Sequence, residues 1–198
     1  MKKHFHKRIF SAASLLKDLG YLLLHSPRIV GALLDPEISR SFREKIMVVT
    51  SAVNECRYCS WFHAQQAVAS GVSADELSDM FRLHFQASAS PRELTALLYA
   101  QHFAETNKNP DPDMTARLFE DYGERTAKHI LVLIRTIYFG NLFGNTWDAV
   151  LSRFKGKPAE ASSKTFELVF FALVFWFMWI PVLLTKKSPN QAPAIGRH

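Results

Sequence analysis

Helical periodicity runs through most of this chain: apolar residues recur every three or four positions, and no stretch shows the apolar–polar alternation of a half-buried strand. Turn-forming residues separate the periodic stretches, because Pro27 ends the first, Gly71 ends a later one and Pro91 begins another. The sequence therefore predicts an all-α fold. We expect helices up to about residue 24 and over 28–34, 35–53, 56–70, 73–85, 90–106, 113–122 and 124–154.

Capping signals mark four of these helix starts. Asp35 and Ser90 each precede a proline, and Asp113 precedes an apolar stretch, so we expect all three to be N-caps. Ser73 stands three residues before Glu76, which is the spacing of a capping box. These caps divide the central part of the chain into a bundle of short helices.

The run over 168–184 carries no charge. As a helix it rises about 25 Å, which is at the lower end of what spans a bilayer. We expect a single C-terminal transmembrane helix with Glu167 near its interface, the short tail crossing and the larger domain in the cytoplasm. A buried core helix or an interfacial helix remains the alternative.

The N-terminal stretch is also apolar, but Lys17 and Asp18 interrupt it, so it does not have the continuous core of a signal peptide. We expect an amphipathic helix that packs on the domain or lies on a membrane. The predicted organisation is an N-terminal helical segment over 1–34, a domain over 35–158, a linker and span over 159–187, and a tail over 188–198.

The net charge is +6, and basic residues concentrate near the N-terminus and on both sides of the apolar run. This distribution favours contact with anionic lipid headgroups. No nucleic-acid-binding motif accompanies the charge, so we do not expect a nucleic-acid partner.

The chain has two cysteines, Cys56 and Cys59, three positions apart. A disulfide-stabilised secreted fold needs more cysteines at wider spacing, so the pair points to redox or metal chemistry. At a helix start the sulfurs share one face, and the helix N-terminus stabilises a thiolate. His63 lies one turn beyond Cys59 on that face and can exchange a proton with it. A redox dithiol, a metal site formed by the two cysteines and His63, and an inert buried pair all remain open.

The pattern Cys-x-x-Cys-x-x-x-His, followed by a small-residue helix, Gly71 and Ser-Ala-Asp-Glu-Leu, resembles the alkylhydroperoxidase D / carboxymuconolactone decarboxylase family. Glu44 stands 12 residues before Cys56, where the family has a glutamate. The segment after Pro91 and the late helix containing Asn141, Asn145 and Trp147 are also similar. The resemblance covers about residues 35–158.

The resemblance implies a helical bundle, AhpD-like in its fold, that assembles as a homo-oligomer, a trimer or a hexamer, and needs no cofactor. In the dithiol branch of the family it implies reduction of a peroxide substrate, or disulfide exchange with a carrier, at the expense of a thiol or dithiol reductant. It assigns Cys59 as the attacking thiol and Cys56 as the resolving thiol. His63 and Glu44 would form a proton relay.

One position departs from the family pattern. Tyr58 stands where the peroxidases have a histidine, and a tyrosine donates a hydrogen bond but does not titrate near neutral pH. The decarboxylase branch lacks the dithiol, so the resemblance favours an oxidoreductase. Two other function classes remain: a membrane-tethered assembly module with structural cysteines, and a metal-binding sensor that uses Cys56, Cys59 and His63.

Overall fold

A computed structural model describes residues 5–160 and 162–185, with side chains up to Phe175. Over these ranges the chain forms eight helices and no strand, which confirms the predicted all-α fold. The helices are α1 (Ala12–Leu24), α2 (Ser26–Leu33), α3 (Arg40–Val53), α4 (Arg57–Ala69), α5 (Ala74–Arg82), α6 (Pro91–Glu105), α7 (Pro112–Phe154) and α8 (Lys164–Thr185).

The helix predicted to begin at Asp35 begins five residues later, at Arg40. Ser39 is its N-cap, and the Ser39 hydroxyl accepts a hydrogen bond from the Phe42 amide at 3.1 Å. The predicted cap at Asp35 is therefore wrong. One oxygen of its buried carboxylate accepts a hydrogen bond from the Glu37 amide at 3.0 Å, but no helix begins there, and the other oxygen lies 2.6 Å from Nδ1 of His129 in α7.

Helix α7 contains a break at Gly123, whose φ of 71° and ψ of 167° are not helical. The predicted separation of 113–122 from 124–154 is therefore confirmed. The N-cap is Asp111 and not Asp113, because the Asp111 carboxylate accepts a hydrogen bond from the Asp113 amide at 2.8 Å. Pro112 then occupies the first turn, where its missing N–H costs nothing.

The predicted capping box forms only in part. The Ser73 hydroxyl accepts a hydrogen bond from the Glu76 amide at 3.2 Å, but the Glu76 carboxylate pairs with Lys45 of α3 at 2.5 Å. Lys45 also binds Glu93 of α6 at 2.8 Å. Ser90 is the N-cap residue of α6, as predicted, but its hydroxyl donates to the Glu93 carboxylate at 3.0 Å and accepts no hydrogen bond from an amide of the helix. A nearly buried lysine between two carboxylates therefore joins three helices.

Helix α3 is the centre of the bundle, because it packs against α4, α5, α6 and α7. An extended segment over residues 5–10, here called the N-terminal strap, also contributes to the core. Its Phe10 is fully buried, with its ring 5.1 Å from that of Phe139 and its amide donating to the Thr146 hydroxyl at 3.0 Å. The strap therefore holds the chain before α1 against α7.

The first half of α8 packs on the end of α7. Phe170 is buried, and the ring of Phe171 stacks on Trp147 with centroids 5.5 Å apart. Glu167, predicted near a membrane interface, is instead buried in an ion pair with Arg153. This part of the predicted span therefore belongs to the packed bundle.

Among the helices over 5–160 and 162–185, none is both long enough and apolar enough to cross a membrane. The C-terminal transmembrane helix predicted from the sequence is thus not supported. For residues 176–184 of that run, the side chains lie outside the described part of the chain, and the predicted tail over 188–198 lies outside it entirely.

Candidate active site

A tight turn between α3 and α4 places the cysteines. Glu55 has a φ of 54°, and this left-handed residue reverses the chain immediately before Cys56. The Cys56 amide donates to the Ser51 carbonyl at 3.2 Å, and the Asn145 side chain donates to the Asn54 carbonyl at 2.7 Å. Two contacts from different helices therefore fix the start of α4.

Two asparagines of α7 lie beside this turn. Asn141 and Asn145 are fully buried within one chain, and Asn141 accepts a hydrogen bond from the Ser51 hydroxyl at 2.9 Å. Both therefore make buried contacts between α7 and the end of α3. These contacts position the turn that carries the dithiol.

Cys56 is the N-cap of α4, and its sulfur accepts a hydrogen bond from the Cys59 amide at 3.4 Å. The two sulfurs lie 2.9 Å apart, and both cysteines are free thiols. Since a disulfide has an S–S distance of about 2.05 Å, closure needs only a small movement. Cys56 is buried, whereas Cys59 is partly exposed. The arrangement brings together the two predicted sulfur atoms and leaves Cys59 as the reachable one.

The two thiols have unequal acidities. The hydrogen bond with Cys59 lowers the pKa of Cys56 despite burial, with help from the amides of Cys59 and Tyr58 and from the charge of Lys7. The hydrogen bond with Cys56, together with burial, raises the pKa of Cys59. The first proton is therefore lost more easily from Cys56, and Cys59 needs a base before it can act as a thiolate.

Glu44 and His63 also meet. The Glu44 carboxylate lies 2.7 Å from Nδ1 of His63, and the two side chains are 10% and 17% exposed. Glu44 is thus a buried partner of the imidazole rather than a surface carboxylate. With Nδ1 held by the carboxylate, Nε2 is the ring atom that can take a proton. This base lies on α4 one turn beyond Cys59.

Tyr58 takes part in a different network. Its hydroxyl donates to Asp148 at 2.9 Å, and Asp148 also binds Arg57 at 2.6 Å and Lys7 of the strap at 3.0 Å. Burial and the charge of Asp148 raise the pKa of Tyr58 to about 12. Tyr58 therefore stays protonated near neutral pH and connects α4 to α7.

Helix α7 supplies site residues that sequence reasoning missed. Gly144 lies against the Cys56 sulfur, and Asp148 follows one turn later. The glycines at 140 and 144 inside a long helix are the signal that could have revealed this close approach, because glycine disfavours a helix interior unless close packing requires it. Asp148 and Lys7 carried no comparable local signal.

A metal site formed by Cys56, Cys59 and His63 is the alternative to a redox dithiol. Within the ranges that the structure describes, no group of three or more His, Cys, Asp or Glu side chains is arranged to hold a metal ion.

Comparison with known protein families gives a match to part of the chain. Residues 28–102 match the model of the carboxymuconolactone decarboxylase family, and this segment contains Glu44, Cys56, Cys59 and His63. The glycines and Asp148 of α7 lie beyond it. No curated protein and no solved structure matches the chain. The predicted resemblance to the carboxymuconolactone decarboxylase family is therefore confirmed over residues 28–102.

Proposed function

We propose that this protein is a thiol-dependent oxidoreductase that reduces hydroperoxides with Cys59 and Cys56. The observation that carries this proposal is the pair of free sulfurs 2.9 Å apart at the start of α4, with the His63–Glu44 pair one turn further along the same helix. A nucleophilic thiol needs a base held by a third group, and the order Cys59, His63, Glu44 supplies that relation.

In the oxidising half-reaction His63 takes the proton of the Cys59 thiol. The thiolate attacks the terminal oxygen of the hydroperoxide, the O–O bond breaks, and the alkoxide takes up the proton and leaves as an alcohol. Cys59 is then a sulfenic acid. The Cys56 sulfur attacks the Cys59 sulfur, forming the disulfide and releasing water. Two thiols and one hydroperoxide thus give one disulfide, one alcohol and one water.

In the reducing half-reaction an external dithiol attacks the disulfide. Its thiolate attacks the Cys59 sulfur, because Cys56 is buried, and Cys56 leaves as a thiolate. The hydrogen bond with the Cys59 thiol, which does most to lower the pKa of Cys56, is absent while Cys59 is in a disulfide. The amides of Cys59 and Tyr58 and the charge of Lys7 remain, and they stabilise Cys56 as the leaving thiolate. The second thiol of the reductant then releases Cys59, so the reductant leaves as a disulfide and the protein regains both thiols.

The same dithiol supports disulfide exchange with a carrier, without a peroxide. An exposed aromatic side chain on α4 favours an organic hydroperoxide, because Phe62, three residues beyond Cys59 on the same helix, is 51% exposed. Its ring offers an apolar surface to the organic group of such a substrate, which hydrogen peroxide lacks.

The test is a thiol count after one equivalent of cumene hydroperoxide. We expect two thiols to be lost for each hydroperoxide consumed, and we expect a dithiol reductant to restore both. Cys59→Ser should abolish consumption, whereas Cys56→Ser should leave a sulfenic acid on Cys59 that dimedone traps. Loss of thiols with oxidised glutathione but not with hydroperoxide would assign the protein to disulfide exchange. Unchanged thiols in both cases would leave the cysteines structural.

We also propose that the chain assembles as a homo-oligomer, as the resemblance implies. Its support is an apolar surface on α1 and α2 that stays exposed to solvent among the residues that the structure describes. The exposed side chains are Leu16, Leu19, Leu23, Leu24, Val30 and Leu33. Sedimentation equilibrium of the full chain tests this, because a monomer would contradict the proposal.

A membrane attachment through 168–184 is the remaining part of the proposal. It is supported by the uncharged run itself and by exposed apolar side chains on the described half of α8, namely Leu168, Val169 and Leu173. Anionic lipid headgroups would suit the basic residues that flank the run.

A further inference from the structure

The middle of α7 approaches the dithiol closely at one position. A Cβ atom built on Gly144 would lie 2.8 Å from the sulfur of Cys56 and 3.2 Å from Cδ2 of Tyr58. The first distance is too short for any real side chain. On Gly140 a Cβ atom would lie 3.9 Å from the sulfur of Cys59, which is an ordinary contact. The bare backbone of Gly144 therefore provides the space that the Cys56 sulfur fills.

The tyrosine ring beside this sulfur is held in place. The Tyr58 hydroxyl is bound to Asp148, a nearly buried carboxylate that also binds Lys7 and Arg57. A side chain at Gly144 would thus press on a fixed ring and on a short cysteine side chain. The Cys56 sulfur is the group that can rotate away, and rotation would carry it away from Cys59.

We propose that Gly144 is a positioning residue of the dithiol: its missing side chain keeps the Cys56 sulfur where Cys59 can reach it. The catalytic consequence rests on the proposed function, because Cys56 must resolve the sulfenic acid formed on Cys59. The structural claim concerns only the ability of the two sulfurs to join. Gly144 itself touches neither the peroxide nor the reductant.

The matched pair Gly144→Ala and Gly140→Ala tests the structural claim in the full chain. Both place a methyl group in the middle of α7 and both favour the helix. Each variant is equilibrated with mixtures of reduced and oxidised dithiothreitol, and the dithiol and disulfide forms are counted after alkylation. We expect Gly144→Ala to disfavour the disulfide at least about tenfold, since misplacement by about 1 Å has effects of this size or larger. Gly140→Ala should stay within about twofold. Equal equilibrium constants for disulfide formation in the two variants would overturn the proposal.

The same variants test the catalytic consequence. After one equivalent of cumene hydroperoxide, Gly144→Ala should accumulate a dimedone-reactive sulfenic acid on Cys59, whereas Gly140→Ala should proceed to the disulfide. Disulfide formation in Gly144→Ala at the rate of the unsubstituted chain would overturn the positioning role of Gly144. If the unsubstituted chain does not react with hydroperoxide, the proposed function is wrong. The dithiothreitol equilibrium would still test whether Gly144 positions the Cys56 sulfur.

A double-mutant cycle covers the case in which Gly144→Ala folds poorly. Cys56→Ala removes the sulfur that the new methyl group would meet. Gly144→Ala should lower the urea midpoint of the unchanged chain and should lower it much less in the Cys56→Ala background. An equal loss in both backgrounds would show that the sulfur is not what Gly144 accommodates.

Discussion

The carboxylate of Glu44 lies 2.7 Å from Nδ1 of His63, and this contact joins α3 to α4 one turn beyond Cys59. A carboxylate in this position orients the imidazole, selects the tautomer that carries its proton on Nδ1 and stabilises the imidazolium when Nε2 accepts a second proton. The pair is mostly buried, so solvent screens this interaction only weakly.

The proposed relay predicts graded losses of hydroperoxide reduction. His63→Gln removes the base, and we expect the second-order rate constant to fall about 100-fold, the lower end of general-base effects. Glu44→Gln keeps a hydrogen-bond acceptor and loses the charge, so a smaller fall of about tenfold is expected. The exposed His84 provides a control, because His84→Gln should leave the rate unchanged. Stopped-flow measurement under single-turnover conditions would contradict the relay if His63→Gln and His84→Gln reacted equally fast.

The Tyr58→Phe variant tests whether the tyrosine hydroxyl only holds α4 to α7 or also donates a proton in the reaction. With a pKa of about 12 the phenol keeps its proton near neutral pH, so we expect the rate of hydroperoxide reduction to change less than about threefold. The lost hydrogen bond to Asp148 should lower the free energy of unfolding by about 1 kcal/mol. Urea unfolding and the peroxidase assay measure the two effects. A rate loss comparable to that of His63→Gln would make the tyrosine part of the proton relay.

Sequence reasoning recovered the parts of the site that lie within one or two helical turns. The spacing of Cys56, Cys59 and His63 on α4 fixes their common face, and the resemblance supplied Glu44 from the preceding helix. Each of these depends on residues near in sequence or on a recurrent motif. The break at Gly123 was likewise local.

Contacts between distant segments were beyond that reasoning. Asp35 looked like an N-cap, but His129, 94 residues away, takes its carboxylate. Asp148 binds Arg57 across 91 positions, and Gly144 matters only because the Cys56 sulfur lies against it. The local sequence pattern does not indicate which helices pack against one another. These residues can therefore be identified only from the packing of the folded chain.

Lys45 should be a strong determinant of stability. Lys45→Met leaves Glu76 and Glu93 without their shared cation, and breaking a buried pair of this kind costs about 3–5 kcal/mol. Lys128→Met, which removes an exposed pair with Glu124 inside α7, should leave the free energy of unfolding almost unchanged. Urea unfolding of both variants tests the difference. Similar losses would mean that the buried cluster contributes no more than a surface pair.

The same cluster predicts a pH dependence. Burial lowers the pKa of Lys45, but the hydrogen bonds and charges of Glu76 and Glu93 outweigh it, so the pKa is raised from 10.5. A group whose pKa is higher in the folded state stabilises fully below its unfolded value and loses that effect as pH rises through the folded value. From neutral pH to about pH 10, the stability difference between the unchanged chain and Lys45→Met should therefore be constant, and it should shrink above that pH. A difference that grows with alkaline pH would have the wrong sign.

The first half of α8 packs on the end of α7, so a truncation that tests membrane attachment must leave this half in place. Stopping after Lys164 would remove Glu167, Phe170 and Phe171, which uncovers Trp147 and leaves Arg153 without its carboxylate. Such a chain is expected to lose stability, so its distribution between fractions would report misfolding. Stopping after Phe175 keeps these contacts and removes the rest of the apolar run.

We expect the chain that stops after Phe175 to fold and to appear in the soluble fraction after cell lysis, because it lacks residues 176–184. A chain that stops after Lys187 keeps the whole run and should remain with the membrane fraction like the full chain. Both fractions are separated by ultracentrifugation after an alkaline carbonate wash, and circular dichroism checks that both variants are helical. A full chain found in the soluble fraction, or a Phe175-terminated chain that stays with the membranes, would show that residues 176–184 do not drive the attachment.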